Sequence, residues 1–183
     1  SGNGKTELRI SWNTLTSNQG RPDSFAILAF QQWESAANIW SAYPRKNSTG
    51  VPPVNLEWYY YYSNAEDTTA PNAAVDFPPG AINIDGSLND WGSTTALAGY
   101  GTNLTAYRFF WDDSYVYFAM DRDQVPSNDA TNVDVLFLYF DTQPGGNDGA
   151  DTSPTWASVN HTLPFKADWV FCYRPVQGEY FDL

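Results

Sequence analysis

No stretch of this 183-residue chain carries an apolar pattern of ordinary helical length; its apolar runs have the length of strands and are closed by Gly, Pro, Asn or Asp. Chains punctuated in this way bury their apolar faces by stacking sheets. Residues 6–12 alternate, with Leu8, Ile10 and Trp12 on one face and Glu7, Arg9 and Ser11 on the other, the pattern of a half-buried strand. Residues 24–33 and 133–140 are apolar on both faces, as central strands are. Thr105 to Asp123 reads as a hairpin turning at Asp112-Asp113-Ser114. Further strands are expected before Pro44, at 57–62, at Ile82-Asn83-Ile84 and at 167–173. The expected fold class is all-β, an antiparallel β-sandwich.

The organisation expected is one sandwich over 1–183, with a Pro-rich linker at 63–80 between two unequal parts. Neither part closes a core by itself: 1–79 offers about four strands and 80–183 about six, and each would leave an apolar face and open edges. Leu8, Ile10 and Trp12 are therefore expected beside Val135, Phe137 or Val170.

Charge narrows the partners. Against 9 Lys and Arg stand 21 Asp and Glu, a formal net charge of -12. Nucleic acid and anionic membrane surfaces would be repelled. A surplus of Asp favours calcium or serves solubility alone. Cys172 is the only cysteine, so no internal disulfide can form, and its apolar run Trp169 to Tyr173 predicts a buried thiol. Sequons at Asn47, Asn103 and Asn160 point to an extracellular glycoprotein. No apolar run is long enough to span a bilayer, and with no leader the chain reads as a mature exported product or an excised piece. The single histidine, His161, lies inside a sequon, and no Gly-x-Ser-x-Gly occurs, so catalysis is not expected.

Three segments carry a resemblance. They are Ile84-Asp-Gly-Ser-Leu-Asn-Asp-Trp91, Trp111-Asp-Asp-Ser-Tyr-Val-Tyr-Phe-Ala119 and Leu138-Tyr-Phe-Asp-Thr-Gln-Pro-Gly-Gly146, joined by Leu163-Pro-Phe-Lys-Ala-Asp-Trp169. Together they resemble carbohydrate-binding modules of family nine, and the related C-terminal modules of glucodextranases and amylopullulanases. The resemblance covers 80–183 in family order, while residues 5–45 resemble the family's closing strands. The order of the halves is inverted. Circular permutation, excision across two tandem modules, and completion of each subunit by its neighbour all account for it. The resemblance implies a jelly-roll sandwich, mostly non-catalytic, extracellular or on the cell surface, often holding structural calcium.

Candidate sites follow from that. Calcium takes six to eight oxygens, which Asp141, Asn147, Asp148 and Asp151 could supply from a Gly-rich loop; an acidic loop with Asx turns has the same composition. Asp85 and Asp90 could form a second site, or cap a turn. Sugars stack on aromatic rings, and Trp33, Trp40, Trp58 and Trp156 have the polar neighbours of surface platforms, although sandwich cores also consume aromatics. The Tyr59 to Tyr62 run must turn some rings outward unless both its faces are covered. The partner expected is a polysaccharide or cell-surface glycan. The alternative is a filament of identical subunits assembled head-to-tail by strand complementation.

Overall fold

The computed structural model describes residues 5–33, 38–44, 47, 50–51, 53–63, 82–91, 97–98, 105–122, 134–153 and 159–173. They form β1 (Lys5–Ser11), a single helical turn α1 (Trp12–Leu15), β2 (Ser24–Trp33), β3 (Ile39–Tyr43), β4 (Tyr60–Ser63), β5 (Leu97–Ala98), β6 (Thr105–Trp111), β7 (Tyr115–Arg122), β8 (Asp134–Asp141), β9 (Ala150–Thr152), β10 (Thr162–Ala167) and β11 (Trp169–Tyr173). One sheet runs β1-β7-β6-β5 and the other β11-β8-β2-β3, with β4 continuing the β3 edge of β2, and a two-stranded β9–β10 ribbon stands beside them. The strand pairings are antiparallel. This is an all-β antiparallel sandwich.

The early strands complete sheets begun by the late ones. β1 pairs with β7 over its whole length, Lys5 opposite Asp121 to Ser11 opposite Tyr115, and β2 pairs with β8 from Ala26 opposite Asp141 to Trp33 opposite Asp134. Both pairings lie within one chain.

Between the sheets lies the main core, where Trp12, Phe25, Ile27, Trp111, Phe118, Leu136, Leu138 and Phe140 are buried. Phe25 is its hub, with ring centroids 5.0 Å from Trp12, 5.1 Å from Tyr62 and 5.4 Å from Trp111. Successive strand residues point to opposite faces, so Leu28 and Phe30 of β2 and Val135, Phe137 and Tyr139 of β8 face outward. They are buried too, under Val54, Leu56, Leu163 and Ala167. That second cover explains why these two strands read as continuous apolar runs. A third cluster on the outer face of the β1-β7-β6-β5 sheet places Ile82, Leu88 and Trp91 over Phe110, Tyr117 and Ala119.

Four expectations change in register or form. Leu8 and Ile10 pack into the core between the sheets, the side of Leu136, Leu138 and Phe140; Val135, Phe137 and Val170 belong to the outer cluster. β1 stops at Ser11, whose Oγ accepts from the Asn13 amide, so Trp12 begins α1 and its indole Nε1 donates to the Asp112 carbonyl at 2.8 Å. The strand expected from residue 57 starts only at Tyr60. Residues 82–84 form no strand: the segment is tied down by the Glu7 carboxylate, which accepts from the Gly86 amide and, at 2.7 Å, from Trp91 Nε1.

Candidate functional site

Where β4 approaches the sheet edge, the chain turns aromatics to solvent. Trp58 is 47% exposed, Tyr59 41% and Tyr61 37%, whereas Tyr60 is buried. Alternation accounts for the tyrosines: Tyr60 and Tyr62 point into the core, leaving Tyr59 and Tyr61 on the other face. Tyr59 meets Phe165 edge-on, with centroids 5.3 Å apart and planes at 68°.

The approach to this strip is held by one buried amide. Asn47 Oδ1 accepts from the backbone amides of Glu57 (3.0 Å) and Trp58 (2.8 Å), and Nδ2 donates to the carbonyls of Trp58 (2.7 Å) and Pro44 (3.1 Å). Both backbone polar groups of Trp58 are thus fixed by one side chain, which presents the indole from a defined backbone. The expectation of a glycan at Asn47 is corrected here: the residue is 4% exposed and its amide nitrogen is engaged twice, so a glycan on it has no place in this fold. Asn160 is exposed, and Asn103 lies outside the described residues.

Of the other tryptophan candidates, Trp33 ends β2 and Trp40 lies in β3; their side chains are outside the described residues, as is Trp156.

The acidic loop after β8 is ordered by its own turns. Asp141 Oδ1 accepts from the Gln143 amide at 2.8 Å, and the Asn147 carbonyl accepts from Lys166 Nζ at 2.6 Å. Burial first, then the neighbouring Asp168 and Asp148, push Asp141 up to about 6, against the pull of the Gln143 amide. The carboxylates that act on Asp141 are therefore those of Asp168 and Asp148. Asp151 sits exposed on β9, and Asp168 was not expected from sequence, because it lies 26 residues beyond Thr142 and joins the loop only through the β10–β11 turn. There its Oδ2 accepts from the Thr142 amide (2.8 Å) and hydroxyl (2.7 Å). Among the described residues no three His, Cys, Asp or Glu side chains gather closely enough to hold one metal ion. Asp85 accepts from the Ser87 amide and Asp90 from the Asn83 amide, so each serves its own turn.

His161 is fully buried, with Nδ1 accepting from the Val54 amide at 3.2 Å. Nε2 therefore carries the proton and donates to Gln32 Oε1 at 3.0 Å. Cys172 is a buried cysteine, as its apolar run predicted. No helix among the described residues is long and apolar enough to cross a membrane. No family model, no curated protein and no solved structure matches this chain.

Proposed function

We propose that this chain is a non-catalytic, extracellular carbohydrate-binding module that holds a polysaccharide or cell-surface glycan on the strip of Trp58, Tyr59 and Tyr61. One observation carries the reading: three large aromatics within four residues are 37–47% exposed, while the other aromatics whose side chains are described are buried or partly buried. The apolar face of a pyranose stacks on such rings, while their polar edges reach sugar hydroxyls. Leaving these rings in water is unfavourable by the area they expose, which makes a partner the economical explanation. The Asn47 clamp supports the same reading, since a preorganised backbone lowers the ordering cost of binding. A non-catalytic role is supported by His161, the only histidine, whose two ring nitrogens are both engaged in the interior.

The test is retention on a panel of insoluble glycans, with calorimetry against soluble α- and β-glucans. Trp58→Ala is expected to lower affinity by about tenfold with its melting curve unchanged, the loss of a stacked ring. Absence of retention across the panel would refute the proposal. Self-association lost in Trp58→Ala would instead assign the strip to contacts between copies of the chain.

A further inference from the structure

We propose that the free edge of β1 is a self-recognition surface: two copies of this chain pair β1 against β1, antiparallel about a two-fold axis at Leu8, and so join their sheets into one. β1 closes one side of the β1-β7-β6-β5 sheet, and among the described residues no strand pairs with it on its other side. Lys5 and Arg9 are exposed along it, and Glu7, Leu8 and Ile10 are partly exposed.

The direction of the unpaired backbone groups follows from one bond. The Trp12 amide donates to the Ser114 carbonyl at 3.0 Å, so Trp12 faces Ser114 as the next step of the register after Ser11 and Tyr115. Successive residues of an antiparallel strand turn their N–H and C=O to opposite sides. Ile10, Leu8 and Thr6 therefore bond to β7, while Lys5, Glu7, Arg9 and Ser11 turn theirs outward. A second copy can pair there only by setting these outward-turned residues opposite one another.

Charge then selects the register. With Leu8 opposite Leu8 of the second copy, Glu7 faces Arg9 and Arg9 faces Glu7, each pair exchanging both backbone bonds. A slip of two residues sets Glu7 opposite Glu7 or Arg9 opposite Arg9, and like charges directly opposite are destabilising. A slip of one residue is excluded by the direction of the backbone groups. Both side chains are placed for the pairing. Glu7 is held on the outer face by the Gly86 amide and Trp91 Nε1, and a carboxylate has lone pairs for a further donor. The Arg9 guanidinium lies over the Tyr115 ring, 4.8 Å from its centroid, and among the described residues no carboxylate lies within ion-pair distance of it. On the inner face the same register lays Leu8 and Ile10, which the chain itself covers only in part, against Leu8 and Thr6 of the second copy. Charges on an edge commonly keep other strands away. A single sign would do that here, whereas Lys5, Glu7 and Arg9 alternate in sign and complement their own reverse. The contact is isologous, so assembly stops at two copies.

Sedimentation velocity of the whole chain at about 0.15 M salt, where charges further apart than about 8 Å are screened, tests this despite the net charge of -12. One strand pair is a small contact, and a dimer with Kd on the order of 10–100 µM is expected. Arg9→Glu should weaken it about tenfold or more. Arg9→Pro removes an amide that points outward rather than to β7, and should abolish the dimer with its melting curve close to that of wild type. Leu8→Cys should form an intermolecular disulfide under mild oxidation, because Leu8 faces itself, and Thr6→Cys should not, because Thr6 faces Ile10. A chain that stays monomeric to about 1 mM would overturn the proposal. So would a dimer indifferent to both Arg9→Glu and Arg9→Pro, cross-linking of Thr6→Cys as ready as that of Leu8→Cys, or growth beyond the dimer without limit. Trp58→Ala is expected to leave the dimer intact; a dimer lost in that variant and kept in Arg9→Glu would place the contact at the aromatic strip and overturn the role of β1. None of these outcomes depends on glycan retention, so the edge and the proposed glycan site stand or fall separately.

Discussion

Replacing Asn47 by Ala should cost both stability and presentation of the aromatic strip. The side chain makes four hydrogen bonds, all to backbone groups of Pro44, Glu57 and Trp58, from a position 4% exposed. Each such bond is worth about 0.5–1.5 kcal/mol net. Because Trp58 itself is half exposed, water can replace part of what is lost, which places the total at about 2–3 kcal/mol rather than the sum of four full bonds. Asn47→Asp retains the two acceptor bonds and loses the two donors, and should fall between wild type and Ala near neutral pH. Thr49→Ala removes the sequon while leaving the amide, and is expected to melt like wild type. Urea unfolding of the three variants measures the ranking, and glycan retention measures the strip. The order Ala, Asp, Thr49→Ala in decreasing damage supports the clamp. Thr49→Ala as destabilising as Asn47→Ala would show that a glycan, and not the buried amide, is what position 47 contributes, and the reasoning would fail.

Asp141 has a folded value of about 6, raised from 3.8, so the folded state binds its proton more tightly and stability declines as pH rises between those values. Unscreened, that shift corresponds to about 3 kcal/mol; with solvent screening we expect Asp141→Asn to stabilise by about 1–2 kcal/mol at pH 7, with no gain near pH 3, as read from melting curves across pH. An equal gain at both ends would contradict it. Gly149 has φ 87°, and a Cβ there would lie 2.7 Å from the Ala167 carbonyl oxygen, so Gly149→Ala should destabilise by about 2–4 kcal/mol in denaturant titration. His161→Leu strands the Val54 amide and Gln32 Oε1 in the interior, and should destabilise by about 2–4 kcal/mol at neutral pH; a variant as stable as wild type would show that the pair is not buried as described.

Much of the fold is legible in the sequence because it depends on local pattern. Strand-length apolar runs between turn residues are enough to specify stacked antiparallel sheets, and the β6–β7 hairpin follows from alternation around Asp112-Asp113-Ser114. The two-faced runs of β2 and β8 announced central strands, and the tyrosine run had to send Tyr59 and Tyr61 outward if Tyr60 went in. What a run apolar on both faces cannot encode is which face meets which cover. Leu136 and Val135 are equally apolar, and only the arrival of β1 on one side and of Val54, Leu56 and β10 on the other decided that Leu8 and Ile10 join Leu136. The sites divide along the same line. Trp58 was a candidate from its neighbours alone, but the buried role of Asn47 depends on a loop folding back on residues 57 and 58. That β1 ends its sheet depends on its pairing with β7, where Lys5 stands opposite Asp121. Periodicity is a property of adjacent residues and survives in the sequence; an edge or a clamp is made by residues that only the closed chain brings together.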